Sequence, residues 1–219
     1  MESETKPRVL IVYYTYAQQC GRVAEAMADA FRDRGCDVEQ AQLEFTDERW
    51  AERFRHFPLR HAYLDIFGMF LPQVRRKTGQ IVIPEAAREG EYDLVVIGSP
   101  TWWLLPSVPV RSYLESQQAG RVLDGKRCAV FVVCRRYWNW NQGSVRKLAA
   151  KRGGEFVAES HFTFEGGQIR SFLSLISYFG KGENRKRYLG VKIPPSMLKP
   201  DYGEQARAFA NELADQVAS

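Results

Sequence analysis

Leu94-Val-Val-Ile-Gly-Ser-Pro-Thr-Trp-Trp103 is the stretch that decides the fold. Four apolar, mostly β-branched residues stop at Gly-Ser-Pro, and two tryptophans follow. Such a run suits a strand buried on both faces of a parallel sheet. Its exit then lies at the carboxyl end of the strand, where open α/β sheets bind ligands. Pro100 stiffens that exit and keeps Ser99 extended. Trp102 and Trp103 offer flat surfaces beside it. Core packing accounts for one of them; two in succession point to a loop that holds a flat ring.

A second stretch, Arg8-Val-Leu-Ile-Val-Tyr-Tyr-Thr-Tyr-Ala-Gln-Gln19, has the same design. Val9–Tyr14 reads as another buried strand. Gly21–Arg34 reads as a helix, with Val23, Ala24, Met27, Ala30 and Phe31 at helical spacing and Gly35 as its stop. Between them lie Thr15, Tyr16, Ala17, Gln18, Gln19 and Cys20. The first N–H groups of a helix lack intrahelical acceptors, and the helix dipole favours an anion there. Thr15 offers a hydroxyl, Gln18 and Gln19 offer amides, and the turn holds no lysine or arginine. This suits a phosphate monoester held by neutral donors; an ordinary turn capped by Thr15 accounts for the residues equally well. Together the two turns suggest a phosphorylated, planar cofactor.

Outward from these, strands are expected at Asp37–Leu43, Arg127–Cys134 and Phe156–Phe164, with helices at Val108–Gln118, Asn141–Lys151 and Asp201–Val217. The alternation predicts right-handed crossovers and a five-stranded parallel sheet of order 2-1-3-4-5, an α/β fold covered on both faces. The first turn lacks G-x-G-x-x-G, and the chain has no P-loop. One domain, residues 1–219, is expected. It carries structured insertions at about 46–84 and 166–200, both longer than the usual connection of about 2–6 residues.

The 219 residues are 45% hydrophobic, enough for a substantial core. No apolar run reaches the ~18–20 residues of a membrane span, and the polar start Met1–Lys6 does not read as a secretory signal. Cys20, Cys36, Cys128 and Cys134 form no C-x-x-C pair and no zinc spacing, so no metal is expected and reduced thiols in the cytoplasm are. Cys20 reads as a packed residue rather than a reactive thiol. No Ser-His-Asp or Cys-His set stands out; His161 near a strand end reads as packing.

At these residues the chain resembles the flavodoxin-like superfamily, most closely its flavodoxin and NAD(P)H:quinone oxidoreductase branches. The resemblance covers about residues 7–45, 90–165 and 200–217, and implies a three-layer flavodoxin-like sandwich. In that family a turn of the kind T/S-x-T-G-x-T wraps the FMN phosphate. Thr15-Tyr-Ala-Gln-Gln-Cys20 occupies that place, with Gln18 at the glycine and Cys20 at the last threonine. A second loop, S/T-P-T-aromatic, lines the isoalloxazine, and Ser99-Pro-Thr-Trp-Trp103 is similar to it. The third loop here is Cys134-Arg-Arg-Tyr-Trp138. The resemblance implies stacking by Tyr137 or Trp138, and Arg135 or Arg136 near the pyrimidine edge, where a cation would stabilise the reduced flavin.

The resemblance implies an FMN oxidoreductase, taking electrons from NAD(P)H to a hydrophobic acceptor such as a quinone. The flavin carries the chemistry, so no catalytic side chain is named. An electron-transfer flavodoxin and a binding module that has lost FMN are the alternatives.

The net charge of +5 is uneven. Residues 49–80 hold seven Arg/Lys against two Asp/Glu, and residues 169–192 hold six against one, leaving an acidic body. Trp50, Phe54, Phe57, then Tyr63, Ile66, Phe67, Phe70 and Leu71 make helical apolar stripes in the first insertion. Ile169, Phe172, Leu173, Ile176 and Phe179 do so in the second. Packing over the site or at a homodimer interface is the expectation for such stripes. Peripheral contact with the inner face of an anionic membrane is the alternative. Nucleic acid would engage the cations and leave the stripes unexplained.

Overall fold

Three strands carry the frame because their residues tolerate burial on both sides. In the computed structural model, which describes residues 6–217, these are β1 (Arg8–Tyr13), β5 (Leu94–Trp102) and β7 (Arg127–Cys134). Met1–Thr5 lie outside the described residues. β2 (Asp37–Gln42) and β8 (Glu155–Thr163) are the outer strands, and the parallel order is β2-β1-β5-β7-β8, the expected 2-1-3-4-5 in chain order. Val9–Tyr13 pairs with Leu94–Gly98, and Leu94–Pro100 pairs with Arg127–Val133. Gly98 is required: a Cβ there would sit 2.3 Å from the Phe131 ring and 2.8 Å from Tyr13 Cβ.

Two helical layers bury the sheet. α1 (Gln19–Asp33) and α9 (Tyr202–Val217) cover one face. There Val23, Met27, Phe31, Phe209 and Leu213 pack on Val9, Ile11, Val96 and Phe131. Each such side chain contributes about 1.5–3 kcal/mol on full burial. Gly35, at φ 82°, closes α1 as expected. The other face lies under α5 (Val108–Leu114), α6 (Gln117–Leu123) and α7 (Trp138–Ala150). The single helix expected over Val108–Gln118 is in fact two. Ser116 breaks the run by capping α6, its Oγ accepting from the Ala119 N–H at 3.2 Å.

The first insertion closes at its base. β3 (Glu44–Phe45) pairs with β4 (Ile81–Val82), and buried Asp47 accepts from the Gln80 N–H and from Arg49. Above lie α2 (Ala51–Phe54), α3 (Ala62–Gly68) and α4 (Phe70–Val74). The second insertion is α8 (Gln168–Lys181) with the hairpin β9 (Arg187–Tyr188) and β10 (Val191–Lys192). The insertions pack on each other through Leu59, Ala62 and Ile176, and the Leu59 N–H donates to the Phe179 carbonyl at 2.6 Å. α8 buries serines as well as apolar residues: Ser174 donates to the Pro194 carbonyl at 2.7 Å, so its hydroxyl is satisfied inside. No helix among the described residues is long and apolar enough to cross a membrane.

Candidate functional site

The carboxyl ends of β1, β5 and β7 open into one cavity of about 550 Å³, roofed by α2, α3 and α8. That size lies within the ~300–1,000 Å³ of small-molecule sites. Its lining contains every residue nominated from the sequence except Gln18, Ser99 and Trp138.

The first turn delivers Thr15, Tyr16, Ala17, Gln19 and Cys20 to the wall. Gln18 instead takes a left-handed conformation, φ 61°, at the N-cap of α1 and lies off the cavity. Gln19 lines the cavity, yet its amide is committed elsewhere. Its Oε1 accepts from the Leu198 N–H at 3.3 Å, and its Nε2 donates to the Ala17 carbonyl at 3.2 Å. The turn therefore keeps the Thr15 hydroxyl and the first N–H groups of α1 as its polar offering. No acidic residue occupies the first turn of α1. Cys20 is buried, and burial pushes its thiol well up, so it is a packed thiol.

The second nominated loop is a strand. β5 runs through Ser99, Pro100, Thr101 and Trp102 and turns back into β6 (Leu105–Pro106), so the expected exit loop is a hairpin. Its two turn residues, Trp103 and Leu104, have φ of 48° and 69°. Bulky side chains seldom adopt that region, which costs roughly 1–2 kcal/mol per residue. Buried Gln73 of α4 holds the hairpin: its Nε2 donates to the Trp102 carbonyl at 2.8 Å and to the Pro106 carbonyl at 2.9 Å. Ser99 is fully buried beneath. Asn141 donates to Thr101 Oγ1 at 2.8 Å.

The tryptophans part company. Trp102 stacks on Phe54 at 4.8 Å and meets Tyr14 edge-on at 5.7 Å. Trp103 lies among Phe67, Phe70 and Phe172, its Nε1 donating to the Ile66 carbonyl at 3.0 Å.

From the end of β7 come Cys134, Arg135, Arg136 and Tyr137. Tyr137 faces the cavity and is half exposed. Trp138 turns away to stack on His161, ring centroids 4.0 Å apart. Of the two stacking residues left open by the sequence, Tyr137 is thus the one at the cavity. Arg135 donates to the Ser171 carbonyl at 2.6 Å and to Ser196 Oγ at 3.0 Å, and lies 4.4 Å over the Phe164 ring. Burial pushes its guanidinium down to about 9. It forms no ion pair among the described residues. Ser196 directly precedes Met197 and Leu198, which contact Gln19, so this cation neighbours the N-terminus of α1.

The remaining lining is mostly apolar: Phe54, Ile66, Met69, Phe172 and Phe179 come from the insertions, beside polar Gln168 and Ser196. Sequence stripes flagged most of them as a roof; Met69, Phe164 and Ser196 gave no signal. Among the described residues the cavity holds Arg135 and Arg136 and no Asp or Glu. An apolar, aromatic, cationic chamber of this kind suits a flat ring carrying negative charge.

No family model and no curated protein matches the chain. Solved structures do. A flavoprotein from Lactobacillus acidophilus NCFM in complex with FMN is 18% identical with a TM-score of 0.55, over 71% of this chain and 93% of that one. A flavodoxin from the domain Archaea is 9% identical with a TM-score of 0.52, over 97% and 99%. A flavodoxin from Streptococcus pneumoniae TIGR4 is 14% identical with a TM-score of 0.51, over 95% and 99%. The fold is flavodoxin-like.

Proposed function

We propose that this cavity binds FMN and that the protein passes electrons from NAD(P)H to a hydrophobic acceptor such as a quinone. The observation that carries the reading is the lining: aromatic and apolar walls at the strand ends, two arginines and, among the described residues, no carboxylate. The donor set fits the group. Thr15, the N-terminus of α1 and Arg135 would hold the phosphate end, and Trp102, Trp103 and Tyr137 would flank the ring. Bound there, the flavin supplies the redox chemistry between nicotinamide and acceptor. The side chains bind, orient and shield. The roof of α2, α3 and α8 shields the ring, and Arg136, the other arginine of the lining, sets a positive potential that favours an electron-rich ring. Tyr16 keeps its proton, which it donates to the His56 carbonyl at 2.6 Å.

An electron-transfer shuttle is the second reading. The roof argues against it, because a shuttle exchanges electrons with a protein at an accessible ring edge. Visible spectra of the purified protein, before and after FMN addition, test the cofactor. NADPH consumption with a naphthoquinone acceptor tests the reaction. A colourless protein that takes up no FMN would sink both readings and leave a binding module.

A further inference from the structure

The roof carries a second cavity and an apolar face that electron transfer does not use. The cavity, about 350 Å³, lies between α3 and α8, with Arg60, Tyr63, Ser177, Lys181 and Tyr188 in its walls and no Asp or Glu among the described residues. Ser177 is 1% exposed, and its hydroxyl has no hydrogen-bond partner among the described residues. Arg60 and Lys181 form no ion pair among those residues.

Leu64 lines this cavity and is 72% exposed. From it the apolar surface continues through Phe67, Phe70, Leu71 and Val74, all exposed. Phe67 and Phe70 meet the Trp103 ring at 5.3 and 5.2 Å. Trp103 opens the hairpin tip, where Leu104 is exposed; Ile169, at the start of α8, is 77% exposed. Trp103, Leu104 and Ile169 also line the large cavity. The apolar face thus joins the small cavity to the mouth of the large one. Arg75, Arg76, Lys77 and Arg170 are exposed in the adjoining sequence. Asp65, the one carboxylate of α3 and α4, turns inward to Arg53 at 3.8 Å.

We propose that this face docks on an anionic phospholipid bilayer, with one lipid phosphate held in the small cavity by Arg60, Lys181 and the Ser177 hydroxyl. Exposed apolar side chains beside unpaired cations are the complement of anionic headgroups over hydrocarbon. A second copy of the chain fits less well. Pairing the face with itself brings like cations together, and neither α3 nor α4 presents a free carboxylate to meet them. Docked in this way, the protein turns the mouth of the large cavity towards the hydrocarbon, so an apolar molecule dissolved there can enter without crossing water. The docking itself does not depend on FMN.

Co-sedimentation of the full chain with phosphatidylcholine vesicles and with equimolar phosphatidylcholine–phosphatidylglycerol vesicles tests it. Recovery is expected only with the anionic vesicles, falling as salt rises. Arg60→Gln with Lys181→Gln should weaken binding roughly thirtyfold, from about 1 kcal/mol per cation. Leu64→Ser with Leu71→Ser should weaken it about tenfold or more, and thermal melting checks that both variants fold. The wild-type salt dependence needs no variant. Equal recovery on both vesicles, no recovery, or indifference to both double substitutions overturns the proposal. So does a dimer that Leu64→Ser with Leu71→Ser dissociates while the wild type ignores vesicles, which would give the face to a second copy.

Discussion

Arg135 reaches Ser196 at 3.0 Å from the end of a strand more than sixty residues earlier, and no carboxylate pairs with it among the described residues. In the proposed site this cation would meet the FMN phosphate. Arg135→Gln should therefore lower affinity for FMN by about tenfold to a hundredfold, the worth of a charged hydrogen bond, and leave riboflavin affinity nearly unchanged. Fluorescence titration of both flavins separates the two. Equal losses for both would assign Arg135 to holding α8 in place.

Gln73 joins the first insertion to the hairpin through two buried carbonyls. Gln73→Met keeps the volume, strands the Trp102 carbonyl and leaves the Pro106 carbonyl only its 3.4 Å bond from Arg111. A loss of about 1–3 kcal/mol is expected, the cost of one unsatisfied buried group. Chemical denaturation measures it, and an unchanged midpoint would mean that the hairpin holds itself.

Leu104 has a left-handed backbone and an exposed side chain. Leu104→Asn should stabilise by about 1 kcal/mol, since Asn tolerates that region. The melting temperature should rise by about 2–4 °C. The same change should weaken vesicle binding, the mark of strain kept for a functional contact. A variant less stable than wild type would show that the turn is not strained.

Asp47 anchors the first insertion, and its carboxyl is held down to about 2, first by its hydrogen bonds from Arg49 and also by the Gln80 N–H. Its folded value lies below the ordinary 3.8. The stabilisation is therefore complete above about pH 4 and is lost as pH falls through about 2. Asp47→Asn should flatten that part of an acid-unfolding profile. An acid limb identical to wild type would remove Asp47 from the account.

All four cysteines are buried free thiols. A thiol reagent should label none in the native protein and all four in denaturant. Fast native labelling of Cys20 would contradict its packed role.

The frame was legible because burial on both faces forces continuous β-branched runs, as in Val9–Val12 and Leu94–Ile97. The cavity was legible because strand ends converge wherever such a sheet forms. What escaped was long-range pairing. Gly98-Ser-Pro100 looks like punctuation, yet Pro100 pairs with Val133 inside the sheet. Pairing of Thr101 and Trp102 with Pro106 and Leu105 then extends the strand into a hairpin. Trp138 found His161 on the neighbouring strand, a partner no local pattern reveals. Ser174 of α8 finds its acceptor, the Pro194 carbonyl, twenty residues on, beyond any helical pattern.

The bond from Leu59 to Phe179 has a kinetic meaning. It joins two segments separated by the greater part of the chain, over a cluster of only three buried apolar side chains. The sheet beneath rests on far more. Such a unit should open on its own while the sheet stays closed. In native-state hydrogen exchange, α3 and α8 should then release protection together, ahead of β1, β5 and β7. A roof that opens in this way would act as a door, letting a ligand come and go without disturbing the wall behind it.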